Sequence, residues 1–594
     1  MPVSKYKTLV TSSDFNTWPE NLSKALFIGP WCIRSNIPPG QSQLVPYHWK
    51  NREKFNSDYF YLKDLNTRLL QNLAEFLNQY HKLDYSVDYW RCIVGPWLIE
   101  YFSAIFDRWE VVGSSIKFKN INEISTIDYC LNKNTPNDFS DARKLFQMDA
   151  WNSAIFHEIF QIRNLEKIKV KKIDYFQDST IKEEKSKLTK TILHQIYRLS
   201  FIVYEKLFLK KNILFTRTYF SIYAILKISI KIRGFLGSFN EFLYPPRKFK
   251  FPKERNLAEK FTQFIPKNDF EKYIHKTILR DIPFQFIENF IYLRQTAKEI
   301  RKDYKIIFTS NLHTSNELFQ VWFAERVEKR KSILVISNHG GSIPIFNDLF
   351  QHEFLLPAIK VNWFKSEMFG SIQMPANKIC GIEYQVIFYK YIKRKKRKLL
   401  NLFMHQAPLY SIRHMTTPIL GPLILEEYDE KLKFLQGLNK DIFKNVNVRL
   451  SGRNDEWRLC EKFHKTFGRN ICDRRGSAIE AILTSKIVVC DTSTIFAESM
   501  HLNIPTIALI DINYWDFEEG FEDLITHLLK VKILFFCPIE ASIHINKIWQ
   551  DIDHWWNSHK IQSARKIFLE LLADSKDYDK RWANFFTKIL DKEI

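Results

Sequence analysis

Ser332-Ile333-Leu334-Val335-Ile336-Ser337, running into Asn338-His339-Gly340-Gly341, decides the fold. Consecutive apolar residues between two serines read as a short strand buried on both faces. Upstream, Lys305 to Thr309 is a second such strand, and the segment between them is helical to about Glu328. That helix opens on Thr314-Ser315-Asn316-Glu317, a capping box in which hydroxyl and carboxylate satisfy the free N–H groups of a first turn. Strand, helix and strand in this order form a crossover unit, whose handedness rule implies parallel strands. Open parallel sheets bind ligands beyond the carboxyl ends of their strands. His339 is therefore placed where chemistry is expected, and Gly340 and Gly341 allow substrate and chain to come close. An imidazole at that position can take the proton of an acceptor hydroxyl. The plainer alternative is a histidine that hydrogen-bonds its own loop.

The same logic repeats downstream. Leu399 to Met404 and Val446 to Leu450 read as strands, and Ser477 to Thr484 as a helix. Lys486 to Asp491 is a strand, Thr492-Ser493-Thr494 turns, and Ile495 to Leu502 is a helix closed by Asn503 before the strand Pro505 to Ile510. A strand that becomes a helix over three hydroxyl residues is a phosphate site in outline, because free N–H groups and the helix dipole favour an anion. The alternative is that Ser493 or Thr494 is only an N-cap. Glu498, one turn on, either faces a nucleotide ribose or is a solvated helix carboxylate.

Upstream of residue 110, Ala25 to Gly29 and Leu44 to Tyr47 read as short strands. Asp58 to His81 is an amphipathic helix with Leu62, Leu65, Leu69, Leu73, Phe76 and Tyr80 on one face. Tyr89 to Trp109 is another, kinked or interrupted at Gly95-Pro96. Residues 110–300 read as mostly helical, with a buried strand at Asn212 to Thr216, a charged exposed run at Lys182 to Lys187, and a Pro- and Lys-rich loop from Tyr244 to Pro252.

The 594-residue length exceeds one ordinary core, so two or more domains are expected. With 45% hydrophobic and 26% charged residues the chain is globular rather than disordered. Apolar stretches such as Phe220 to Leu226 break at a lysine, well short of the ~20 residues a spanning helix needs. The opening residues Met1 to Lys7 have no apolar signal core, so a cytoplasmic location is expected. The eight cysteines lack paired spacing, which suits reduced thiols. Cys460, His464 and Cys472 lie close in sequence but lack an evident fourth zinc ligand, and Asp551-Ile552-Asp553 reads as helix surface, so no metal or cofactor is expected. The net charge of +22 admits anionic substrates, anionic lipid and nucleic acid as partners. Its densest run, Lys393 to Lys398, reads as a solvated loop or a contact to anionic lipid headgroups, ahead of nucleic acid, which is not expected as the partner. No P-loop, dinucleotide loop or nucleophile elbow is present.

In their order, several motifs resemble a family of transferases encoded in bacterial O-antigen and related surface-polysaccharide clusters. They are Phe27 to Cys32, Pro46 to Trp49, Arg52 to Lys54, Tyr89 to Arg91, Gly95 to Leu98, Asp107 to Trp109, His339 to Gly341, Val448 to Leu450, Thr494 to Glu498 and Ile548 to Trp556. The His-Gly pair is also similar to that of the polyol-phosphate polymerases of wall teichoic acid synthesis, where the histidine is taken as a base and a Ser/Thr turn binds nucleotide phosphate. Asn338 stands where the family pattern has Gln, and Ser451 to Asn454 replaces a His-containing segment.

The combined expectation is an α/β chain of two Rossmann-like domains facing a cleft, GT-B-like. Residues 1–345 would be the acceptor half with a largely helical insertion at about 110–300, and residues 346–594 the donor half. The resemblance implies transfer of a sugar from a nucleotide-activated donor to a glycan or lipid-linked glycan acceptor. Alternatives are transfer of a polyol phosphate or another group, or a non-catalytic glycan- or nucleic-acid-binding protein. His339 would be the base, with Gly340 and Gly341 beside it and His48 the next candidate. Thr492, Ser493, Thr494, Arg449 and Glu498 would hold the donor.

Overall fold

The computed structural model describes residues 8–33, 44–118, 120–163, 168–174, 213–232, 237–238, 255, 257, 261–300, 303–338, 340–341, 355–364, 370–384, 386, 399–411, 414, 420–452, 455–473, 475–515, 517 and 519–592. His339, Lys182 to Lys187, Tyr244 to Pro252 and Lys393 to Lys398 lie outside them.

Three parallel sheets organise these residues. The first joins β1 (Thr8–Val10), β2 (Ala25–Phe27), β3 (Glu123–Asp128) and β4 (Lys169–Asp174) in the order β2-β1-β3-β4. The second joins β5 (Ile213–Thr216), β6 (Gly237–Ser238), β7 (Ile306–Thr309), β8 (Ile333–Ser337), β9 (Ile359–Asn362) and β10 (Ile372–Gln373) in the order β10-β9-β8-β7-β5-β6. The third joins β11 (Leu399–Met404), β12 (Val446–Leu450), β13 (Ser485–Cys490), β14 (Thr506–Leu509) and β15 (Leu534–Phe535) in the order β12-β11-β13-β14-β15. The α/β class with parallel, Rossmann-like sheets holds, and β7 pairs with β8 in parallel from Ile306↔Ile333 to Thr309↔Ile336.

The helices used below are α1 (Arg52–His81), α2 (Val87–Ile116), α3 (Asp149–Arg163), α4 (Ile222–Ile232), α5 (Glu317–Glu328), α6 (Ile424–Gln436), α7 (Ser493–His501) and α8 (Tyr578–Leu590). Helix α1 starts earlier than the apolar periodicity does, because Asn51 caps it by accepting from Lys54 N. Helix α2 continues through Pro96 and is buried along most of its length, packed against α1, α3 and α5. Among the described residues no helix is long and apolar enough to cross a membrane.

Three expectations change, and a fourth gains detail. Residues 110–300 are largely helical where they are described, but beside the expected β5 they also carry β3, β4 and β6, which are short or, like β4, mostly polar and exposed, so the hydrophobic pattern hides them. A division at 345 would cut the second sheet, which continues through β9 and β10 and is covered by α8. There Trp582 and Phe586 pack on Phe308, with ring centroids 5.2 and 5.4 Å apart. Leu44 to Tyr47 supplies only a bridge from Leu44 to Phe27. The cap of α5 is Asn316, whose side chain accepts from Phe319 N at 2.8 Å. Thr314 instead belongs to the preceding 3-10 turn and donates to Asn311 O, while the Glu317 carboxylate accepts from Phe139 N at 2.9 Å.

Candidate active site

Strands β8 and β13 are central in their sheets, and their carboxyl ends meet. β8 ends at Ser337, and the chain reaches Gly340 and Gly341 three and four residues on. β13 ends at Cys490, and Asp491-Thr492 leads into α7. Gly341 N donates to Thr494 Oγ1 at 2.9 Å. A Cβ on Gly340 would lie 2.6 Å from the same oxygen, and Gly341 has φ +84°. A side chain at 340 would therefore have to displace the Thr494 hydroxyl, and the conformation at 341 favours glycine.

Thr492 is the N-cap residue of α7, extended at φ −107°, ψ 123°, yet its side chain makes no capping bond. The first turn holds no acidic residue. The amino end of this nine-residue helix thus presents its positive dipole end without a capping bond from Thr492 or a carboxylate in its first turn. Buried Thr492 Oγ1, Gln406 Oε1 and Asn338 Oδ1 have no hydrogen-bond partner among the described residues. All three follow the carboxyl ends of strands, where a bound polar ligand would satisfy them.

Below the turn lies a buried ionic group. Asp491 Oδ1 accepts from His405 N at 2.8 Å, and its Oδ2 is 3.6 Å from Lys431 Nζ. Lys431, on α6, also contacts Glu427 and donates to Leu509 O at 3.2 Å. Burial raises the pKa of Asp491 against the pull of Lys431, and burial lowers that of Lys431. This group fixes the turn from beneath and ties the ends of β11 and β13 together.

Glu498 is not a solvated carboxylate. It is 3% exposed, burial raises its pKa, and its Oε1 lies 3.4 Å from Lys378 Nζ, which follows β10 of the second sheet. Arg449 uses its guanidinium on a loop: Nη1 donates to Asp473 O and Arg475 O, and Nη2 to Gly476 O.

His48 belongs to a different assembly. Its Nε2 lies 3.2 Å from Asp107 Oδ1, which also accepts from Tyr47 Oη at 2.7 Å. Arg108, fully buried, donates to Asp107 Oδ2, Asn152 Oδ1, Phe146 O and Ser411 O. Tyr410 Oη reaches Asp149 at the start of α3. The N-terminal motifs thus converge on a buried polar lock between the first sheet and the loop after β11.

Sequence reasoning missed His405, Lys431 and Lys378. His405 directly follows β11, beside Asp491, where the third sheet's strand order reverses between β11 and β13. The strand-end rule that selected His339 selects it equally. Burial pushes its imidazole down to about 3, so it is neutral at cellular pH. Among the described residues no group of three or more His, Cys, Asp and Glu could hold a metal ion.

The family model described as LIC12162 family transferase matches residues 7–586. No curated protein sequence matches the chain. Among solved structures, the wall teichoic acid polymerase TagF aligns with 51% of this chain and 86% of its own, at 11% identity and TM-score 0.30. The S. aureus MnaA-UDP structure aligns with 52% of this chain and 79% of its own, at 11% identity and TM-score 0.32. WaaG, a glycosyltransferase involved in lipopolysaccharide biosynthesis, aligns with 51% and 95%, at 10% identity and TM-score 0.27.

Proposed function

The chain belongs to the LIC12162 family of transferases, and from that premise we propose that it moves a sugar from a nucleotide-activated donor to a surface-polysaccharide acceptor of the O-antigen type. The observation that carries this reading is the contact of Gly341 with Thr494, which brings the Gly340-Gly341 pair onto the amino end of a helix suited to phosphate.

In this reading the donor diphosphate lies on the first turn of α7, held by its N–H groups and by Ser493 and Thr492. The acceptor hydroxyl approaches from the β8 side. His339 takes its proton as the oxygen forms a bond to the donor carbon, and the carbon–phosphate oxygen bond breaks with its electron pair leaving on the diphosphate. The helix dipole and oriented N–H groups offset that developing charge. The acceptor is glycan or lipid-linked glycan, which places the enzyme at the inner face of the cytoplasmic membrane, with Lys393 to Lys398 available to anionic lipid. Transfer of a polyol phosphate uses the same arrangement, with the bond breaking at phosphorus.

A thermal-shift panel of UDP-, CDP-, GDP- and dTDP-linked donors tests this, since a ligand that binds only the folded state raises the melting temperature. One nucleotide class should stabilise the chain and be released as diphosphate on addition of acceptor. Release of monophosphate would select the polyol-phosphate reading. A chain that no nucleotide stabilises is not a nucleotide-dependent transferase.

A further inference from the structure

Helix α4, which follows β5, leaves an apolar stripe uncovered. Ile222, Leu226 and Ile230 are 80%, 53% and 73% exposed. Their four-residue spacing puts them on one face. Ala224 and Ile228 point the other way, into the core against α8. On the flank between the two faces lie Lys227, whose Nζ is 3.4 Å from Tyr384 Oη, and the exposed Lys231. An apolar face bordered by lysines, on a helix whose opposite side is anchored in the fold, has the form of a helix lying in a membrane interface.

Two further facts favour lipid over protein as the occupant. Among the described residues from Ile213 to Ile232 the chain carries Arg217, Lys227 and Lys231 but no acidic residue, a charge balance complementary to anionic headgroups. The stripe also begins next to the cleft. Tyr219, just before α4, lies with its ring centre 6.0 Å from Lys378 Nζ, and Lys378 pairs with Glu498 of α7.

We propose that the exposed face of α4 docks on an anionic bilayer surface and holds the cleft beside it. The reason for a membrane there rests on the transferase reading; the docking itself is measured without donor or acceptor. The full chain is sedimented with phosphatidylcholine vesicles and with vesicles containing phosphatidylglycerol, at physiological salt. Binding should require phosphatidylglycerol and fall tenfold or more in the Ile222→Ser, Leu226→Ser, Ile230→Ser variant, with its circular dichroism and melting temperature kept. If the triple variant does not fold, Ile222→Ser alone, at the most exposed position, should weaken binding severalfold. Equal binding of folded variant and parent, or a parent that ignores both vesicles, overturns the proposal. So does a parent that self-associates in sedimentation velocity while the variant is monomeric, because the face is then a contact between copies. A chain that binds vesicles but no nucleotide keeps this proposal and rejects the donor reading.

Discussion

Thr494 Oγ1 and the backbone N–H of Gly341 are 2.9 Å apart, although 153 residues separate them. The hydroxyl accepts from one sheet's loop while standing in the first turn of another sheet's helix. If the first turn of α7 holds donor phosphate, replacing Ser493 and Thr494 together by Ala should weaken nucleotide binding about tenfold or more, from charge-assisted hydrogen bonds of ~1.5–3 kcal/mol. Calorimetry reads this directly. An unchanged affinity with intact fold removes the donor from this turn.

His339→Ala should keep nucleotide affinity and melting temperature while losing about a hundredfold to ten-thousandfold in turnover, the usual range for a lost general base. A mutant within a fewfold of the parent makes His339 structural. The next candidate is then His48, which pairs with Asp107, because burial holds the His405 imidazole at about 3, too weak a base for cellular pH.

Arg108→Met should destabilise the fold strongly. It leaves Asp107 buried with its main cation gone, a change worth ~3–5 kcal/mol. The melting temperature should fall by several degrees, and the loss should be much smaller if Asp107→Asn is added. A single mutant that melts like the parent would mean the lock between the first sheet and Ser411 carries no load.

Glu317 provides a pH test. Burial and the nearby Asp138 carboxylate raise its pKa to about 7 from an ordinary 4.5. A folded-state pKa above the unfolded one means that the folded protein binds the proton more tightly. Stability is therefore unaffected at pH 4 and falls as pH rises between about 4.5 and 7. Glu317→Gln keeps an oxygen for Phe139 N and removes the charge. It should raise the melting temperature by a few degrees at pH 8 and barely change it at pH 4. An equal shift at both pH values would show that the carboxyl is ionised normally.

The strands around the site were legible because each is a short apolar run ending in a turn signal. β8, β11, β12, β13 and β14 stand within a residue or two of the reading. Of the first sheet only β2 was legible, within Ala25 to Gly29: β1 has three residues and β4 is Lys-Val-Lys-Lys-Ile-Asp, so neither carries a hydrophobic signal of its own. Nor was the meeting of Asp107, Tyr47 and Ser411, since side-chain partners 60 and 364 residues apart leave no local pattern. Thr494 was readable as part of a strand-to-helix turn, but its partner Gly341 came only from the packing of two sheets.

The return of α8 to the second sheet has a consequence for synthesis. Phe215 and Phe308, laid down in the first half of translation or just past it, find Trp582 and Phe586 only when nearly the whole chain has been made. Until then the underside of β5 and β7 is open to water. A nascent chain can thus complete the third sheet before it seals the sheet that bears Gly341, and any product stopped short of Tyr578 exposes an aromatic surface prone to aggregation and proteolysis. The order of assembly makes the cleft a late event, one that reports that translation has run past α8.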